Sequence, residues 1–281
     1  MTMKALLVPI EPHGLAQPIL ETTFLFATRF DSHIEGISVR PNYAGFIAVD
    51  PIGVAAFPEI DEQIAEQAKK SRQSFEDFLR AKVPALSNTG PGAGISYGWA
   101  AHQPVTEGAA AGYARIFDLS VLGRPSGENH GPTMSLFEAM LFESGRPILV
   151  APPKPPKQIG DTVVIAWNQS TETARATALA MPVLERARQV VVLTVTGGTV
   201  PGPTGAEMAG QLKRNGIPAR DVTVAPGRRS NGETILAEAT ALGCDLLVKG
   251  AYTQSRLRQM IFGGATSHIL AATQLPVFMA G

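Results

Sequence analysis

Short, continuous apolar runs recur along the chain, each followed by a polar turn and then a stretch with helical periodicity. Lys4-Ala5-Leu6-Leu7-Val8-Pro9-Ile10 meets Glu11-Pro12-His13-Gly14, and Thr162-Val163-Val164-Ile165-Ala166-Trp167 meets Asn168-Gln169-Ser170-Thr171. After the second turn, Thr173 to Arg188 reads as one helix with Ala174, Ala178, Met181 and Leu184 at helical spacing. A second strand follows in each half, Ile34 to Val39 and Val190 to Val195. Strands that alternate with helices predict βαβ units and a parallel sheet, and strands apolar throughout predict that both faces are covered.

The two halves match best at their ends. Asp118-Leu119-Ser120-Val121-Leu122-Gly123 mirrors Asp245-Leu246-Leu247-Val248-Lys249-Gly250, 127 residues later. Gly145-Arg146-Pro147-Ile148-Leu149-Val150-Ala151 mirrors Gln274-Leu275-Pro276-Val277-Phe278-Met279-Ala280, with Pro276 129 residues after Pro147. The opening turns at Glu11 and Asn168 stand 157 apart, so the first half carries about 30 more residues in its middle. These are Asn42 to Pro58, a loop containing Pro and Gly, and a helix from about Glu59 to Lys82 with Ile60, Ile64, Ser71, Phe75, Phe78 and Leu79 near one face. The matching helix of the second half is shorter, about Thr204 to Asn215. Pro152-Pro153-Lys154-Pro155-Pro156-Lys157 is a semi-rigid spacer between domains at 1–152 and 158–281. The expected fold is α/β, with two tandem doubly wound domains, each an open parallel five-stranded sheet flanked by helices. Their final strands, 147–151 and 276–280, are edge candidates, and pairing them would cover both edges.

Composition narrows the chemistry. In 281 residues, 24 Lys and Arg balance 24 Asp and Glu, which argues against bulk nucleic-acid binding. The single cysteine, Cys244, cannot form an internal disulfide and excludes a zinc site built from several thiolates. It precedes a buried strand and is expected to be an inert core thiol. No apolar run approaches the ~18 residues of a membrane span, and the N-terminal segment does not read as a signal peptide. The expected location is the cytoplasm, with no membrane partner.

In doubly wound sheets ligands bind beyond the carboxyl ends of the strands, where strand order switches. The informative segments are therefore the turn after each first strand and the loop after each fourth. After Lys249 comes Gly250-Ala251-Tyr252-Thr253-Gln254-Ser255-Arg256-Leu257-Arg258, then Phe262-Gly263-Gly264-Ala265-Thr266, with a helix starting at about Ala265. Free backbone N–H groups and the dipole at a helix start favour phosphate, and Arg256 and Arg258 add charge-assisted donors. Asn168 and Ser170 are both candidate N-caps for the helix after the first turn. His13, His33, His102, His130 and His268 form no close metal-ligand pair in sequence. Neither a nucleophile elbow, a Walker A lysine nor a zincin helix is present. No catalytic residue and no metal site are expected, and Asp118 and Asp245 read as strand-start residues.

On these segments the chain resembles the tandem members of the universal stress protein family. The family's ATP-binding pattern is glycine, two residues, glycine, nine residues, glycine, then Ser or Thr. Gly250 and Gly263 fit its first and third glycines; Thr253 replaces the second, and Gly264 stands where Ser or Thr would be, with Thr266 two residues on. The family's acidic residue after strand 1 is matched by Asn168, which loses the charge. The resemblance implies a stress-response regulatory protein that binds ATP, with Mg²⁺, in its C-terminal half without efficient turnover. Asn168, Thr196, Gly250 and Ala251 would lie about the nucleoside, Thr253 and Arg256 in the loop, and Gly263, Gly264, Ala265 and Thr266 at the phosphates. Glu11 and Gly123 keep two positions in the first half, but the paired glycines are absent, so that half is expected to be degenerate for nucleotide and to pack on the second as a pseudo-two-fold pair. A homodimer and an unidentified protein partner remain open. The alternative is an interaction module of the same fold that binds no nucleotide and acts through protein partners. On the nucleotide reading, Gly250→Val is expected to abolish binding and leave the fold intact.

Overall fold

The computed structural model describes residues 2–11, 16–40, 57–83, 94–100, 103–125, 133–251 and 265–281. The first half runs β1 (Ala5–Ile10), α1 (Ala16–Phe30), β2 (His33–Ser38), α2 (Phe57–Lys82), β3 (Ser96–Trp99), α3 (Glu107–Ala114), β4 (Leu119–Gly123), α4 (Met134–Phe142) and β5 (Ile148–Ala151). The second runs β6 (Thr162–Ala166), α5 (Thr171–Leu179), α6 (Met181–Leu184), β7 (Gln189–Val195), α7 (Gly205–Arg214), β8 (Ala219–Val224), α8 (Asn231–Ala241), β9 (Leu246–Gly250), α9 (Ala265–Ala272) and β10 (Val277–Ala280).

All ten strands lie in one sheet, ordered β3-β2-β1-β4-β5-β10-β9-β6-β7-β8. Read from either edge, the order is third, second, first, fourth, fifth. Every neighbouring pair is parallel except β5 and β10, which pair antiparallel with Val150 opposite Val277, Leu149 opposite Phe278 and Ile148 opposite Met279. The two final strands thus satisfy each other's backbone donors and acceptors, as their apolar character requires.

Both faces of the sheet are covered. Val163 and Ile165 point into one core with Leu6, Val8, Phe26, Phe30, Phe75 and Phe278. The alternate residues Val164 and Ala166 point into a second core with Leu7, Leu122, Phe137, Val150 and Met279. Continuous apolar strands are the direct consequence. α2 starts two residues earlier than its periodicity predicts, and its buried anchors are Phe75 and Leu79. Phe75 packs edge-on against Trp99 of β3, with ring centroids 5.3 Å apart.

The single helix expected over 173–188 is two helices. Ser170 caps α5, accepting from Thr173 N, and the break falls at Ala180, with Pro182 in the first turn of α6. Proline has no N–H to continue the ladder. The buried stripe is Thr173, Ala176, Thr177, Ala180, Val183 and Leu184, while Ala174 and Ala178, expected inside, are exposed.

Asp118 and Asp245 do more than start strands. Asp118 Oδ2 accepts from Lys4 N (2.7 Å) and Ala5 N (3.1 Å), fastening β4 to β1. Asp245 Oδ1 accepts from Gly160 N (2.8 Å), Asp161 N (3.0 Å) and Thr162 N (3.1 Å), and its Oδ2 from Gln158 Nε2 (2.9 Å). Burial pushes the Asp245 carboxyl above its ordinary value, against the pull of those donors. Between the halves, Arg29 of α1 bonds Asp161 Oδ1 (2.6 Å) and Gly160 O (2.8 Å), and the Arg186 guanidinium lies over the Phe30 ring, 4.6 Å from its centroid.

Removing a carboxylate that satisfies buried N–H groups leaves those donors unpaired, at about 1–3 kcal/mol. Asp245→Ala should therefore lower the urea unfolding midpoint more than Asp118→Ala, whose donors lie nearer solvent. Equal losses would contradict this ranking.

Candidate functional site

The switch in strand order within the second half falls between β6 and β9, since β7 lies on one side of that pair and β10 on the other. Their carboxyl ends carry Trp167-Asn168-Gln169-Ser170 and Gly250-Ala251. Of the two candidate caps, Ser170 is the one that caps α5, accepting from Thr173 N at 3.3 Å. Asn168 shapes the turn before it: its Oδ1 accepts from Thr173 Oγ1 (2.6 Å) and Ser170 N (3.3 Å). Gln169 takes the left-handed conformation, φ 70°.

The segment after β7 folds across this turn. Val200 N donates to Asn168 O (3.1 Å) and Trp167 Nε1 to Pro203 O (2.8 Å). Gly202 lies so close to the turn that a Cβ there would stand 2.6 Å from Gln169 O. Thr196 is exposed, and its N–H is spent on Val224 O at 2.9 Å. Ala251 is buried, its N–H donating to Ala280 O at 2.8 Å.

Gly250 corrects the expectation drawn for it. A Cβ there would lie 2.4 Å from Thr173 N, 2.5 Å from Glu172 C and 2.8 Å from Thr173 Cα. Those atoms are backbone of the first turn of α5 and cannot swing aside. Glycine at this position therefore serves the chain's own packing of α5 on β9, and a branched side chain here disturbs the fold itself.

Ala265 and Thr266 open α9, and Thr266 is buried. The start of α9 packs on the start of α8, where a Cβ on Gly232 would meet Ala265 Cα and O at 3.0 Å and His268 Cβ at 2.9 Å. His268 is thus a half-buried packing residue between two helices. Thr253, Arg256, Arg258, Gly263 and Gly264 lie outside the described residues, as do His13, His102 and His130.

Sequence reading passed over Lys249. It is buried in β9 directly before Gly250, and its Nζ donates to Gly250 O at 3.2 Å. Burial pushes its ammonium down to about 8. The signal was a lone charge inside an apolar strand; the first half has Leu122 at the matching position.

The equivalent crevice of the first half lies between β1 and β4, and a carboxylate of the chain itself sits there. Glu11 is buried, and its oxygens accept from Thr133 N (2.7 Å) and Thr133 Oγ1 (2.9 Å) at the N-cap of α4. Buried Glu107 stands close by, accepting from Ser135 Oγ at 2.5 Å. The start of α4 thus holds an internal anion. Burial pushes the Glu11 carboxyl above its ordinary value, the Thr133 donors pull it down, and Glu107 adds repulsion. Cys244 is buried and its thiol is pushed up to about 12 by burial, the state of an unreactive core thiol. Among the described residues, no group of three His, Cys, Asp or Glu is placed to hold a metal ion, and no helix is long and apolar enough to cross a membrane.

Comparison with known proteins bears on this geometry. Residues 169–280 match the model of the universal stress protein family. The fold is similar to that of a universal stress protein from Archaeoglobus fulgidus DSM 4304, with TM-score 0.73 and 17% identity over 99% of this chain and 96% of that one. It is also similar to a functionally unknown protein from Pseudomonas aeruginosa PAO1, with TM-score 0.52 and 13% identity over 99% and 92% of the two chains. At these identities the structural likenesses speak for the fold, and the family match speaks for the second half. No curated protein matches the chain.

Two outcomes follow from the packing. Gly250→Val should lower the thermal midpoint by several degrees, the overpacking costing about 1–3 kcal/mol or more; an unchanged melting curve would contradict the contact with α5. For Glu11, the raised value means the folded chain keeps this proton to higher pH than the unfolded chain does. Stability from this group therefore falls as pH rises through the window just above its ordinary value of 4.5. Glu11→Gln should flatten that slope in urea melts run across the window.

Proposed function

We propose that the second half binds an adenine nucleotide, ATP with Mg²⁺, in the crevice where β6 and β9 part, and that the chain is a stress-response regulatory protein whose occupancy is read by a partner. Asn168, Thr196, Gly250 and Ala251 would border the nucleoside. Backbone N–H groups of 263–266, with Thr253 and Arg256, would meet the phosphates. The observation that carries this reading is the switch point itself, where the loop after Gly250 leads to the start of α9 in the segment matched by the universal stress protein family. The donor chemistry fits an anion. Where the first half places the Glu11 carboxylate, the second has neutral Asn168, and the Lys249 ammonium lies beside Gly250. ATP brings a phosphate chain whose charge Mg²⁺ shares. The residues of the chain bind and orient it, and with no general base assigned, efficient turnover is not part of the proposal.

One observation favours the second reading, an interaction module without nucleotide. The Val200–Pro203 segment is bonded across Trp167 and Asn168, on the side the nucleoside would use.

Calorimetric titration of nucleotide-stripped protein with Mg·ATP decides between them. The expected result is one site per chain with micromolar affinity, about 8 kcal/mol. Gly264→Asp, which adds a carboxylate at the expected phosphate position, should weaken binding at least about tenfold, 1.4 kcal/mol, without changing the melting temperature. No heat, together with no thermal shift at millimolar ATP, overturns the nucleotide reading in favour of the second.

A further inference from the structure

At the outer edge of the first half, three side chains from two neighbouring strands form one hydrogen-bonded chain. His33 opens β2 and stands in register with Ser96, which opens the edge strand β3. Glu35 follows two residues after His33, on the same face. Ser96 Oγ lies 2.9 Å from His33 Nδ1, and His33 Nε2 lies 2.8 Å from Glu35 Oε2. A carboxylate only accepts, so Nε2 carries the ring proton. In the neutral imidazole the lone pair of Nδ1 then faces the Ser96 hydroxyl, which donates to it. In that form the chain runs serine to histidine to glutamate.

The surroundings hold this order in place. The Glu35 side chain is 15% exposed, that of His33 is 40% exposed, and Ser96 is exposed. The acid is fixed within the fold while the hydroxyl is reachable. Gly98 makes room for the acid, since a Cβ there would lie 2.6 Å from Glu35 Oε2. The β2–β3 ladder uses Ser96 N, donating to Ser32 O, and Ala100 N, donating to Gly36 O. By alternation the N–H of Tyr97 points away from β2, toward the outer edge of the sheet. That N–H is not used by the β2–β3 ladder, and a backbone donor next to a nucleophile is of the kind that stabilises an oxyanion.

We propose that Ser96 is a nucleophile activated by His33, with Glu35 as the positioning residue, and that it accepts acyl groups from small activated esters. Ser96 Oγ attacks the ester carbonyl carbon, and its proton passes to His33 Nδ1. The Oγ–C bond forms, the bond from that carbon to the leaving oxygen breaks, and the alkoxide or phenolate leaves. The proton on His33 passes to that leaving group or to water. Water can later cleave the acyl-serine by the same relay in reverse. No redox partner or metal enters the balance. The site lies at the amino ends of β2 and β3, away from the crevice of the nucleotide reading, and does not depend on it.

The test is to react the full chain with 4-nitrophenyl acetate, following release of 4-nitrophenolate and mapping acetyl groups by peptide mass spectrometry. The expected result is a burst of about one equivalent, with the acetyl group on Ser96. Ser96→Ala should abolish the burst. His33→Gln should slow it about 100-fold, with circular dichroism as the check on folding. Glu35→Gln removes the charge that holds the ring proton on Nε2 and favours the imidazolium formed on attack, so acetylation should fall although serine and histidine are both present. In the wild-type chain, acetyl groups found on lysines and not on Ser96 overturn the proposal without reference to any variant. So does Ser96 acetylation at equal rate in a folded His33→Gln chain.

Discussion

The antiparallel pairing of β5 with β10 is the contact on which the architecture rests. Ile148, Leu149 and Val150 on one strand, and Val277, Phe278 and Met279 on the other, are no more than 1% exposed. Each such side chain contributes about 1.5–3 kcal/mol on burial, and separated halves would expose them together with two unpaired backbone edges. The polar contacts between halves are lesser terms. The Arg29–Asp161 pair has partly exposed partners, 20% and 42%, and such pairs are worth about 0–1 kcal/mol. The seam, rather than the proline-rich spacer or the ion pair, makes one sheet of two.

The seam also fixes where the candidate sites fall. All neighbours within a half are parallel, so antiparallel pairing at the centre directs the carboxyl ends of the two strand sets in opposite directions. The crevice between β1 and β4 and that between β6 and β9 therefore open at opposite ends of the sheet. Two sites so separated are free to differ, and they do. The same clamp recurs in both halves, Asp118 holding the start of β1 and Asp245 that of β6. Other matched positions near the two crevices do not recur: Glu11 stands against Asn168, and Leu122 against Lys249.

The frame was legible because each of its elements obeys a local rule. Strands covered on both faces must be apolar throughout, and two apolar edge strands must find partners. The helix after β6 was misread because its stripe was counted through Pro182, whereas the register is set upstream, by Ser170 capping the first turn. The expectation that Gly250→Val spares the fold failed for a different reason. A glycine at a strand end reports that something approaches closely, and here the chain's own backbone at Thr173 does so, which the sequence does not show. The Ser96–His33–Glu35 chain could not be seen at all, since 63 residues separate the serine from the histidine and only the β2–β3 register brings them together.

Thr173 ties these readings of the second half together. Its hydroxyl bonds Asn168 Oδ1, its backbone lies against Gly250, and its N–H meets the Ser170 cap. The turn after β6 and the start of the loop after β9 are thus two sides of one contact, with no flexible side chain between them. The first turn of α5 packs its backbone on Gly250 and its Thr173 hydroxyl on Asn168. Asn168 in turn holds the Val200 segment through its carbonyl. The contacts from the end of β9 to the segment after β7 therefore run through Gly250, Thr173 and Asn168, and the close approach at the first of them is possible because Gly250 has no Cβ.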